Sequence, residues 1–283
     1  MKPLLRTTLT LLLIGLCGLS CQNKNEDDPS LYAKSSGPGY FRELKATDAR
    51  QAAIYRETES PREENRAIMA LNDERLQMAC RYAASTPEAL RAVRNNCVKI
   101  SREQMTQVYD SLTPAMKRTQ LGKSIKAYTK SSGVLVGDSL PHFEGVGPDG
   151  QPFDWSVTEG KRTLLIYEGW GWIKRSTHIW FKDLLSATDR DSLAVVAYVY
   201  AASLSELQKR VRSFQLEPYL VISDLQGKEG PLDKKMGVHG VPTYYYTDRQ
   251  GRVRRILSGF DPDSFTMDTG LSPEWGESWT KND

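Results

Sequence analysis

Arg162-Thr163-Leu164-Leu165-Ile166-Tyr167-Glu168-Gly169-Trp170-Gly171-Trp172-Ile173-Lys174-Arg175 decides how the second half of the chain is read. Its first six residues run on without polar alternation, the pattern of a strand covered on both faces. Two glycines then break the run, and Thr177 to Leu185 follows with helical character. Leu193-Ala194-Val195-Val196-Ala197-Tyr198-Val199 repeats the buried-strand pattern. Leu204, Leu207, Val211 and Phe214 fall at helical spacing, and Tyr219 to Ile222 is a further short strand. Val241 to Tyr246, a turn at Asp248-Arg249-Gln250-Gly251, and Val253 to Leu257 read as a closing hairpin. Upstream, Pro148-Asp149-Gly150 is a turn between two short extended runs, residues 141–147 and 151–155. The expectation is an α/β fold: a mixed sheet with helices on both faces.

Residues 41–132 read as a helical region. Ser60-Pro61-Arg62-Glu63 and Ser101-Arg102-Glu103-Gln104 have the form of capping boxes, the first with proline at the first helical position. Apolar stripes follow: Ile68, Leu71, Met78 and Tyr82; Leu90 and Val93 after Thr86-Pro87-Glu88; Met105, Val108, Tyr109 and Leu112; Leu121, Ile125 and Tyr128. No nucleophile stands paired with a base here, and the stripes are core. Cys80 and Cys97 lie on neighbouring helices and are expected to form a disulfide if the protein is exported; two free buried thiols, or a pair reactive toward partners, are the alternatives. A bridge of that span stabilises by roughly 3 kcal/mol in the chain-entropy picture.

The chain's balance of 38 Lys+Arg against 35 Asp+Glu gives no electrostatic case for nucleic acid. Four cysteines are too few for a disulfide-built scaffold. At the start, Lys2 and Arg6 precede an apolar run from Leu9 to Leu16 that is too short to span a bilayer, then Leu19-Ser20-Cys21. That order is lipobox-like, with Gly18 where the pattern prefers leucine. Residues 1–20 are expected to be a lipoprotein signal peptide and Cys21 the lipidated residue; an ordinary cleaved signal is the alternative. Residues 21–40 are expected to be a flexible tether, too polar to fold alone. Its acidic run Glu26-Asp27-Asp28 reads either as solvated linker or as a surface-export signal.

Three stretches resemble TlpA/ResA-like thioredoxin-fold lipoproteins of Bacteroidetes type, within the wider AhpC/TSA superfamily. Val136-Gly137-Asp138-Ser139-Leu140-Pro141-His142-Phe143 is similar to the family's opening G-D-x-x-P-x-F segment. Gly240-Val241-Pro242-Thr243, an aromatic strand and Asp248-x-x-Gly251 resemble its cis-proline loop and final hairpin. Leu112-Thr113-Pro114 and Leu121-Gly122-Lys123 resemble the helical segment before that domain. The resemblance implies a thioredoxin-like domain over residues 133–262 and a cis bond before Pro242. It also implies a W-C-x-x-C motif after the first central strand. Lining up Leu164 to Tyr167 puts Trp170 on the motif's tryptophan, Gly171 and Lys174 on its two cysteines, and Arg175 next. No cysteine occurs after Cys97, so no register supplies the thiolate that disulfide exchange requires.

The resemblance therefore points to a scaffold without catalytic residues: a redox-inactive, lipid-anchored module of the cell envelope. Its partner is expected to be an extended peptide or envelope protein, with no cofactor. Trp170, Trp172 and Tyr244 would frame an apolar groove, with Gly171, Lys174 and Arg175 beside it and Val241, before Pro242, offering main-chain hydrogen bonds. The competing reading has these aromatics plug the vacated site. Lys174 or Arg175 at a helix start can hold an anion or simply be solvated. Glu168 has the character of a buried base with no thiol to serve. His142, His178 and His239 have no carboxylate or cysteine at ligand spacing, which argues against a metal site. One rival reading is a thiol-disulfide oxidoreductase of cell-envelope redox homeostasis acting through Cys80 and Cys97. Another is a structural module whose helical part makes the contacts. Residues 263–283 lack a sustained period and are expected to be an irregular tail anchored by Trp275 and Trp279.

Overall fold

Punctuation by proline and by small polar residues sets the helices of the first half. The computed structural model describes residues 37–229, 232–237 and 241–277. In order come α1 (Gly37–Glu57), α2 (Pro61–Tyr82), α3 (Pro87–Asn95), α4 (Arg102–Ser111), α5 (Pro114–Arg118) and α6 (Gln120–Thr129). Helix α1 starts at Gly37, so the last residues assigned to the tether are helical; Cys21 and residues 22–36 lie outside the described residues. Ser101 forms the expected capping box with Gln104. Ser60 does not: its side chain makes no cap bond. The buried stripes meet in one core that includes Met78, Leu90, Val93, Met105, Val108 and Ile125. Cys80 and Cys97 pack on that core and are both free, so the expected bridge is not formed.

The second half runs β1 (Arg162–Tyr167), α7 (Arg175–Ala187), β2 (Leu193–Tyr198), α8 (Leu204–Phe214), β3 (Leu220–Ile222), α9 (Leu232–Met236), β4 (Thr243–Thr247), β5 (Val253–Ser258) and α10 (Pro262–Thr269). It ends in a small hairpin, β6 (Leu271–Ser272) with β7 (Gly276–Glu277). The five-stranded sheet has the order β3-β2-β1-β4-β5. Strands β1, β2 and β3 are parallel, while β4 and β5 are antiparallel additions. With the cis Val241–Pro242 bond just before β4, this is the expected thioredoxin-like mixed sheet. Alternate residues of β1 feed the two faces, Leu164 and Ile166 one core, Leu165 and Tyr167 the other. Helices α7, α8 and α10 cover the first through Phe181, Leu207 and Phe265; Phe143, Trp155, Leu232 and Met236 cover the second.

The extended runs around Pro148 meet in isolated bridges, Val146 to Pro152 and to Ser223. One expectation gives way. The tail is not irregular throughout. Asp261 caps α10 by accepting from the Ser264 N–H, Pro262 opens the helix, and Gly270 closes it in the left-handed region. Phe265 then packs against Phe181, Trp180, Tyr244 and Phe260. Trp279 lies outside the described residues.

Candidate site at the cis-proline face

The loop from Glu168 to Lys174 turns sharply at two residues with positive φ, Glu168 (51°) and Gly169 (90°). Glycine is needed at 169: a Cβ there would lie 2.6 Å from the nitrogen of Pro242 and 2.7 Å from its Cα. The loop thus lies directly on the cis-proline. The N–H groups of Trp172 and Ile173 both donate to the Gly169 carbonyl, at 2.8 and 3.1 Å.

That turn sends the two tryptophans in opposite directions. Trp170 is buried, with Nε1 donating to the Tyr198 carbonyl at 3.0 Å and its ring against Tyr219 and His178. Trp172 is 82% exposed. Tyr244 is fully buried and stacks on Phe181. The expected groove of Trp170, Trp172 and Tyr244 is therefore not built, because Trp170 and Tyr244 belong to the core. The plug reading holds for Trp170 and fails for Trp172. Gly171, Lys174 and Arg175 are exposed, with Lys174 as N-cap residue of α7 and no side-chain cap.

Helix α7 starts at Arg175, with Lys174 as its N-cap residue, so Gly171 and Lys174, the two positions matched to the motif's cysteines, lie just before the helix. Neither carries sulfur.

Trp172 and Val241, itself 40% exposed, edge a cleft of about 360 Å³. Glu168, Tyr200, Glu206, Arg210 and Lys228 line the rest. Residues at the C-terminal ends of the parallel strands β1 and β2 contribute, as is usual for crevices in such sheets. The Tyr200 N–H donates to Glu168 Oε2 at 2.6 Å, and Arg210 stands 3.7 Å from Oε1. Burial pushes the Glu168 carboxyl above the usual range, against the pull of the Tyr200 and Gly169 N–H groups and of Arg210. Arg210 Nε donates to Glu206 Oε1 at 3.0 Å, and the Ala202 N–H donates to Glu206 Oε2 at 2.9 Å. These bonds, the Ala202 one foremost, hold the Glu206 carboxyl low. Below the cleft, Tyr167 and Tyr200 donate their hydroxyls to Asp233 of α9, at 2.8 and 2.6 Å.

Sequence reading missed Tyr200, Glu206, Arg210 and Lys228. The i,i+4 spacing of Glu206 and Arg210 was a readable signal for that pair; Lys228 had none. The histidines are apart in role: His142 stacks on Trp155, His178 packs on Trp170, and His239 lies outside the described residues. Burial pushes the Cys80 thiol up to about 11 and raises Cys97 as well. Among the described residues no group of histidine, cysteine and carboxylate side chains is placed to hold a metal, and no helix is long and apolar enough to cross a membrane.

No family model and no curated protein matches the chain. Among solved structures, it is similar to the thioredoxin domain of a thiol-disulfide oxidoreductase from Bacteroides vulgatus (15% identity, 45% of this chain, 91% of that one, TM-score 0.39). It is also similar to a thiol-disulfide oxidoreductase from Bacteroides fragilis (14%, 43% and 92%, TM-score 0.37). A third is a pneumococcal exposed lipoprotein thioredoxin from Streptococcus pneumoniae (21%, 43% and 92%, TM-score 0.34). At these identities chemistry does not transfer; the fold rests on the strand order and the cis-proline described above.

Proposed function

We propose that this protein is a thioredoxin-like binding module of the cell envelope, lipid-anchored through Cys21, that captures an extended peptide or protein segment at its cis-proline face and carries out no thiol-disulfide exchange. One observation carries the binding reading. Val241 and Trp172 are exposed on one cleft, and among the described residues nothing bonds to the main chain of Val241. An added strand gains affinity from main-chain bonds and specificity from pockets for alternate side chains. The oxidoreductase alternative has no comparable support: Cys80 and Cys97 are half-buried with raised thiol pKa values, which disfavours the attacking thiolate.

The test is an insulin-reduction assay with dithiothreitol on the purified full chain. The rate should equal the uncatalysed one. A rate well above background that disappears in Cys80→Ser would overturn the redox-inactive reading.

A further inference from the structure

We propose that the segment captured at Val241 carries an acidic side chain, which enters the cleft and is held by Lys228 and Arg210. The proposal rests on the peptide-binding reading above and adds the chemistry of its ligand.

The argument is a donor and acceptor balance. Both oxygens of Glu206 are engaged, by Arg210 Nε and the Ala202 N–H. Glu168 is 7% exposed, and its Oε2 is engaged by the Tyr200 N–H. The Tyr200 hydroxyl donates to Asp233. The cleft's carboxylates are thus committed to protein donors. Its cations keep N–H groups to spare. Arg210 pairs with Glu206 through Nε and with Glu168 through one terminal nitrogen at 3.7 Å, and no hydrogen bond from its terminal nitrogens is formed among the described residues. Among the described residues nothing accepts from Lys228, which is exposed. A guanidinium and an ammonium with spare N–H groups therefore face one opening, with the Trp172 indole on its rim. A carboxylate matches both donors, and the guanidinium can grip it through two parallel bonds. A lysine or arginine side chain would meet carboxylates already engaged by protein donors. In a strand paired at Val241, alternate side chains point the same way, so one of them is delivered to this opening while its neighbours face away.

The probes are heptapeptides of alternating threonine and valine, acetylated and amidated at their ends, with Glu, Gln or Lys at the central position. Binding is read from the Trp172 indole N–H and the Val241 amide in NMR titrations of the full chain. The Glu peptide should shift both signals and bind at least about fivefold more tightly than the Gln peptide, with Lys weakest. Lys228→Glu, a change at an exposed side chain with no partner among the described residues, should reverse the Glu and Lys order. Glu and Gln peptides binding equally would overturn this inference and leave the peptide-binding reading standing. Absence of shifts with every peptide would overturn both. A Gln peptide with a free C-terminus that binds like the amidated Glu peptide would move the carboxylate to the chain end and overturn its assignment to a side chain.

Discussion

Trp170 and Trp172 stand two residues apart and end on opposite sides of the surface, because Gly169 takes a backbone that brings the loop against Pro242. Their truncations should differ accordingly. Trp170→Ala removes a buried indole and its bond to Tyr198, and is expected to cost about 3–5 kcal/mol. Trp172→Ala touches almost nothing folded and should stay within about 0.5 kcal/mol while weakening peptide capture. Urea unfolding of both variants checks this; a large loss with Trp172→Ala would show the indole packed rather than presented. Glu168 offers a pH test. Burial raises its folded pKa, so its protonated form is favoured in the folded state. That contribution is fully present below the unfolded value of about 4.3 and is lost as pH rises through the raised folded value. Glu168→Gln keeps an acceptor for the Tyr200 N–H without the charge. Its stability relative to the parent should rise from about pH 4 to about pH 7. A difference that is flat or falls over that range would contradict the assignment.

Among the elements, the helix starts separate what a pattern states from what a structure uses. Ser101 accepts from the Gln104 N–H in a half-buried first turn, so Ser101→Ala should cost about 1 kcal/mol. Ser60 has the same sequence form but no cap bond, and Ser60→Ala should cost a few tenths of a kcal/mol at most. Thermal unfolding of the two variants side by side decides it, and equal losses would refute the distinction. Strands β1 and β2 were legible because they are covered on both faces and so read as unbroken apolar runs, Leu164 to Tyr167 and Leu193 to Tyr198. Helix α10 was not, since two turns that bury one phenylalanine leave no period to detect. At the site, the loop was legible from local sequence and the cis-proline from the family resemblance. Which side chains reach the opening was not, because Tyr200, Arg210 and Lys228 arrive from three separate stretches that only the sheet brings together.

At the scale of the whole molecule, two proposals meet at the chain's architecture: how it is anchored, and whether its halves act as one. If Cys21 carries the lipid, Cys21→Ala should shift the protein from the membrane fraction to the soluble one; unchanged membrane association would rule that anchor out. The halves are joined by charged contacts across their seam. Arg255 of β5 holds both carboxylate oxygens of Asp73 in α2 at 2.8 Å, with its side chain only 11% exposed. Lys99 binds Asp268 of α10. Arg102, at the start of α4, donates to the carbonyls of Thr129, Ser131 and Gly133 and to Asp138, so one guanidinium fixes the whole crossover from α6 into the α/β half. The crossover is then held again where Gly133 meets Gly237, so closely that a Cβ on Gly133 would lie 2.5 Å from the facing Cα. A seam fixed at the crossover and at two faces should not open on its own. The protein is expected to unfold in one transition, with helical signal and tryptophan emission changing together. Arg102→Ala leaves three carbonyls without their donor. It should lower stability by at least about 1.5–3 kcal/mol, the scale of one hydrogen bond to a charged group, and keep the transition single. Two separated transitions in the parent protein would mean that the helical region and the sheet fold as independent bodies and that the seam couples them only loosely.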